Sequence, residues 1–143
     1  MYQKDYILRM IEMAARMIAA LLGLIKKGEL VRAGESLSNL YYDVLKEDAA
    51  FFRTIPENEL TDTLLHKHNY TNGHLEILAW LFDAEAELEM AQGNRAGCRE
   101  FSGKSLLLLE FIDREMKTYS EERMDKMQKI RERIENLKKG QET

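Results

Sequence analysis

One proline, one cysteine and three histidines are all that this chain of 143 residues contains of those types. With only Pro56 and eight glycines, little in the sequence interrupts helices. Cys98 has no second cysteine to pair with, so an internal disulfide is excluded and no oxidising compartment is indicated. The glycines form no Gly-x-Gly-x-x-Gly string and no phosphate loop, which leaves nucleotide binding without support. No basic surplus exists either: 21 Lys and Arg against 25 Asp and Glu give a formal charge of −4, unlike a nucleic-acid footprint. Long apolar runs are also missing. Residues 17–25 form an apolar run bounded by Arg16 and Lys26, too short to cross a bilayer. Lys4, Asp5, Arg9, Glu12 and Arg16 interleave with apolar residues before it, and no small-x-small cleavage site comes after it, unlike a signal peptide. A cytoplasmic protein without a membrane role is expected.

What remains is the composition of one helical domain. A hydrophobic fraction of 45% beside a charged fraction of 32% places the chain among globular proteins rather than disordered ones. Ile7, Met10, Ile11, Ala14, Met17, Ile18, Leu21, Leu24 and Ile25 recur every three or four residues, predicting a first helix over about 3–27. Gly28 is its stop signal, and a second helix carries Leu30, Ala33, Leu37, Leu40, Tyr41, Val44 and Leu45. Residues 48–72 read as an irregular insert. In it, Thr54 and Glu57 suggest a capping box for a short helix reaching about His66, and Thr71 or Asn72 caps the next long helix. A second hairpin covers about 73–117, turning at Gly93-Asn94. A final helix over 118–139, with a capping-box signal at Thr118 and Glu121, is charged on most faces like an end piece.

The two hairpins align with each other. Lys27-Gly28-Glu29-Leu30 matches Gln92-Gly93-Asn94-Arg95, and a small residue, Ala33 or Cys98, stands five positions after each glycine. The glycines are 65 positions apart, about two units of the roughly 34-residue tetratricopeptide period. This pattern resembles tetratricopeptide repeats (TPR), with one repeat near 14–47, another near 79–112 and a replaced repeat between them. The aromatic that the family places after the turn glycine is Leu30 here in the first hairpin and Arg95 in the second, and the family's terminal proline is missing from both. The chain is also similar to an uncharacterised bacterial family of small TPR-like proteins, on the wording Asp48-Ala49-Ala50-Phe51-Phe52-Arg53 and His68-Asn69-Tyr70-Thr71-Asn72-Gly73-His74-Leu75-Glu76. The resemblance implies an all-α superhelix of antiparallel hairpins with a C-terminal capping helix, and no activity.

Candidate chemistry is sparse. Asp62, His66, His68 and His74 are the one set that could serve a small metal-dependent enzyme. However, no His-x-x-x-His pair exists, and His66 and His68 point apart on a regular helix, so a loop-structuring role is the more economical reading. Asp83, Glu85, Glu87 and Glu89 form acidic stripes at four-residue steps, and Glu76 extends them. They serve either as a solvated face or as a docking strip for a basic peptide or subunit. No nucleophile, ligand set or phosphate loop accompanies them, so neither catalysis nor a cofactor is expected. Cys98 fits a buried filler, and Trp80 either an interface anchor or partly buried core.

Mapped onto the family's groove, the inner positions are Ala15, Ile18, Leu22 and Ile25 in the first hairpin and Trp80, Asp83, Glu87 and Met90 in the second. The lysine and asparagine that clamp a peptide carboxylate in chaperone-binding relatives are absent from these positions. The expectation is therefore a protein-interaction or scaffold module, its partner surface made by Glu76, Trp80, Asp83, Glu87 and Met90. The apolar first groove should be covered by the 51–66 segment, by a partner or by a second copy, making a homodimer.

Overall fold

The computed structural model of the chain describes residues 2–117 and 119–141. They form helices α1 (Tyr2–Lys26), α2 (Leu30–Leu45), α3 (Ala49–Arg53), α4 (Leu60–Asp62), α5 (Asn72–Ala91), α6 (Arg95–Met116) and α7 (Glu121–Gln141). A 3-10 turn, Glu57–Glu59, precedes α4, and a π turn, Thr63–Lys67, comes directly after it. No strand occurs among the described residues. The all-α expectation holds, and the two hairpins end within a few residues of where the hydrophobic pattern placed them.

The hairpins turn in the same way. Gly28 and Gly93 have φ of +82° and +84°, a left-handed conformation that glycine adopts without a Cβ penalty. In the first turn Gly28 N–H donates to the Ile25 carbonyl and Glu29 N–H to that of Leu24, at 3.0 Å each. In the second, Gly93 N–H donates to Met90 and Asn94 N–H to Glu89, at 3.0 and 2.8 Å. These bonds close the last carbonyls of each helix and aim the chain back along it. Five residues on, Ala33 and Cys98 are both fully buried, as a close crossing requires. Burial raises the Cys98 thiol pKa, which disfavours the reactive thiolate.

Helix α5 is central. It packs on α6 along its length and on both α1 and α2. Leu75, Ile77, Leu78, Leu81, Phe82 and Leu88 are buried on more than one side of it, as a helix enclosed by its neighbours requires. Met90, near the end of the helix, is 37% exposed.

The insert is core rather than loop. Phe52 is fully buried and stacks on Tyr41, with ring centroids 5.6 Å apart. Ile55, Leu60 and Leu64 are buried behind it. Through α3 the insert packs on α2, and through Glu57–Asp62 on α6. Its main packing is thus on α2 and α6 rather than on α1, for which it was one of three expected covers. Thr54 does not cap forward: its hydroxyl donates back to the carbonyls of Ala50 and Phe51. The capping expected of Thr71 is present, with His74 rather than Glu as the reciprocal residue. The expected box of Thr118 with Glu121 falls on residue 118, which lies outside the described residues. Beside it, Ser120 Oγ accepts from Arg123 N–H at 3.2 Å.

Candidate functional site

Each residue of the expected docking strip faces α7 or its cations. Arg133 of α7 donates to Asp83 at 2.7 Å, to Glu87 at 2.8 Å and to Ser102 Oγ at 2.9 Å. Lys126 lies 5.2 Å from the centre of the Trp80 ring, a cation–π contact. Burial raises the Glu76 carboxyl pKa, a rise that the charges of Arg123 and Lys126 oppose in part. Burial lowers the Lys126 pKa, while Asp83, Glu122 and Glu76 act to hold the ammonium charged. Met90 borders a smaller cleft with Arg95, Lys129, Arg133 and Leu137. The acidic side of α5 therefore already carries a basic helix.

A cleft of about 430 Å³ remains along this face. Leu22 of α1, Asp83 and Glu87 of α5, and Lys126, Lys129 and Arg133 of α7 line it. Leu22 thus borders the same cleft as Asp83 and Glu87, whereas Ile18 is buried in the core and Ala15 is exposed. Further contacts hold α7 to α6: Arg123 pairs with Asp113 at 3.1 Å, and Met127, Ile130 and Leu137 are buried. The Arg95 guanidinium donates to the Leu137 carbonyl at 3.4 Å.

The acidic ladder splits by helical direction. Asp83 and Glu87 turn to α7, but Glu85 points the other way and is 3% exposed. Its Oε1 accepts from Tyr41 Oη at 3.1 Å and from Arg53 Nε at 2.5 Å. Burial raises the Glu85 carboxyl pKa, and the Arg53 charge opposes that rise. Arg53 also donates to Ser38 Oγ at 3.2 Å, and its carbonyl accepts from the buried Lys104 ammonium at 3.0 Å. This network joins α2, the insert, α5 and α6 below an open groove of about 700 Å³ bordered by Val31, Glu35, Ser38 and Glu89. Sequence reading missed Arg53, Lys104 and Arg133. The contacts of Arg53 with Glu85, of Lys104 with the Arg53 carbonyl and of Arg133 with Asp83 span 32 to 51 residues, beyond any helical spacing rule.

The histidines separate into three tasks. His66 lies 3.6 Å from Asp62, both well exposed. His68 Nε2 lies 3.3 Å from Glu47, and its ring stacks on Phe51. His74 Nδ1 accepts from Thr71 N–H at 3.1 Å, and its ring stacks on Tyr70. Asp62 and His66 are brought together, but His68 and His74 do not join them. Among the described residues no group of three His, Cys, Asp or Glu side chains is placed to hold a metal ion.

Comparison with protein-family models, with curated proteins and with solved structures gave no match. No described helix is long and apolar enough to cross a membrane. The reading of function therefore rests on the geometry of the α5–α7 face.

His74 also makes stability depend on pH. Burial holds its pKa below the ordinary value of about 6.5, so the unfolded chain takes up this proton more readily. The His74 contribution is complete above that value and is lost as pH falls through the folded-state pKa. Glutamine at this position keeps a reciprocal cap without a titrating group. Denaturation of the wild type and His74→Gln at pH 7 and pH 5 should show the wild type losing more stability on acidification. Equal losses would remove His74 as the cause.

Proposed function

We propose that the chain is a non-catalytic protein-interaction module that docks basic helical segments on the acidic side of α5. The reading rests on one observation: Arg133, on a basic helix, bridges Asp83 and Glu87 from 46 to 50 residues away. A surface that holds one such helix has the charge and shape to hold another. On this reading Glu76, Trp80, Asp83, Glu87 and Met90 form the docking strip, and α7 is its resident occupant. We further propose a TPR-like stack, with α1 and α5 as inner helices, α2 and α6 as outer ones and α7 as the cap. The two matching turns support it, as does the packing of α5 on both helices of the first hairpin. A cytoplasmic site of action suits the single buried thiol.

Trp80 is the single tryptophan and reports on the strip directly. A synthetic peptide with the sequence of residues 121–141 should shift Trp80 emission when added to the full chain. Arg133→Glu should weaken the resident helix by about 2 kcal/mol and let the peptide bind at least tenfold more tightly. Asp83→Lys with Glu87→Lys should abolish the response. A peptide that never alters Trp80 emission, or binds the doubly reversed variant equally well, would sink the reading.

A further inference from the structure

The chain's exposed large apolar side chains are not evenly spread. Tyr6, Leu8, Met13 and Met17 all lie on α1, with Tyr6 61% and both methionines 39% exposed. Tyr6, Met13 and Met17 continue through the exposed Ala20 to the half-buried Leu24, at steps of seven, four, three and four residues. That spacing draws one straight stripe along α1, about 27 Å long at 1.5 Å per residue. It borders the buried arc of Met10, Ala14 and Leu21 and is distinct from it. The outer surface of α7 is charged, whereas this side of α1 presents apolar atoms to water.

Charges run along one flank of the stripe: Asp5, Arg9, Glu12, Arg16 and Lys27. Among the described residues, none of the five pairs with an opposite charge. Their order distinguishes the ways in which two copies could meet. A parallel two-fold pair puts the charged flanks of the two helices on opposite sides of the contact, so none of these charges meets one of the partner's. An antiparallel pair centred at the level of Ala15 sets Tyr6 beside the partner's Leu24 and Met13 beside the partner's Met17. On the polar flank it brings Glu12 to the partner's Arg16 and Asp5 to the partner's Lys27, and two-fold symmetry makes each pairing twice. Ala20, small and opposite the level of Met10, lets the two helices approach closely.

We propose that the Tyr6–Leu24 stripe of α1 is a self-association surface, occupied by the same stripe of a second copy running antiparallel. The proposal is independent of the reading of the α5–α7 face, because it uses no residue of that face.

Cysteine pairs test it, since the native Cys98 is buried. Positions 6 and 24 are too far apart to bridge within one helix. Under mild oxidation, Tyr6→Cys with Leu24→Cys should give a covalent dimer, while Tyr6→Cys alone should stay monomeric. Light scattering of the wild-type chain should give about twice 16.7 kDa. Met13→Glu with Met17→Glu should give a monomer with unchanged helical circular dichroism, since both positions are solvent-facing. A wild-type monomer at all concentrations overturns the proposal, and so does cross-linking through Tyr6→Cys alone. A monomer that sediments with anionic phospholipid vesicles also overturns it, assigning the stripe to a lipid surface.

Discussion

Replacing Arg53 by alanine should lower the unfolding free energy by about 3 kcal/mol at pH 7. The guanidinium is the cation that offsets Glu85, whose side chain is 4% exposed. Removing one partner of a buried pair leaves the other charge without compensation, which costs about 3–5 kcal/mol. The 30% exposure of the Arg53 side chain, which lets water screen the pair, places the effect at the lower end. The loss should shrink at pH 5. Burial already raises the Glu85 pKa, and without Arg53 the carboxyl takes up a proton in the folded state at a still higher pH. Neutral Glu85 can remain bonded to Tyr41. Arg53→Ala with Glu85→Gln should therefore be more stable than Arg53→Ala alone at pH 7. Urea denaturation of the three variants at both pH values checks this. A loss that does not depend on pH would mean that Arg53 acts through packing alone.

Phe52→Ala is expected to cost more, about 4 kcal/mol, in the range measured for truncating buried aromatics. The ring is fully buried against Tyr41, Phe51 and Tyr70, with centroids 5.1 to 6.3 Å away. Its neighbours belong to three separate parts of the chain and cannot all close on the void. Against a total stability of about 5–15 kcal/mol for a domain, the change should be visible as a much lower denaturation midpoint. Phe51→Ala, at a half-buried site against His68, should cost clearly less. Similar losses for the two variants would mean that the insert is a surface segment after all.

The difference between these two phenylalanines marks the limit of the sequence reading. Helices α1, α2, α5 and α6 were legible because their signals are local: apolar residues three and four apart, then glycine where a left-handed residue closes the turn. The insert lacks such a period. Phe51, Phe52 and Ile55 are apolar, but nothing within a few residues says what they pack against. The acidic ladder shows the same limit. Spacing correctly put Asp83 and Glu87 on one side of a helix. It could not show that Arg133 returns to them, or that Glu85, two residues from each, turns inward to Arg53. Charge pairs formed by chain topology leave no periodic trace in either partner.

The enclosure of α5 has a consequence for how the molecule opens. Between Leu75 and Ala86 its residues are buried or half-buried where α1, α2 and α6 pack on it, so this stretch should stay shielded until both hairpins separate. In deuterated water, these α5 amides should exchange last and at one common rate, set by the opening of the whole molecule. Helix α7, held on one side by a short apolar seam and several ion pairs, should exchange earlier, and faster in high salt. The chain would then have two tiers of protection: one indivisible block through α6, and a terminal helix that can leave without it.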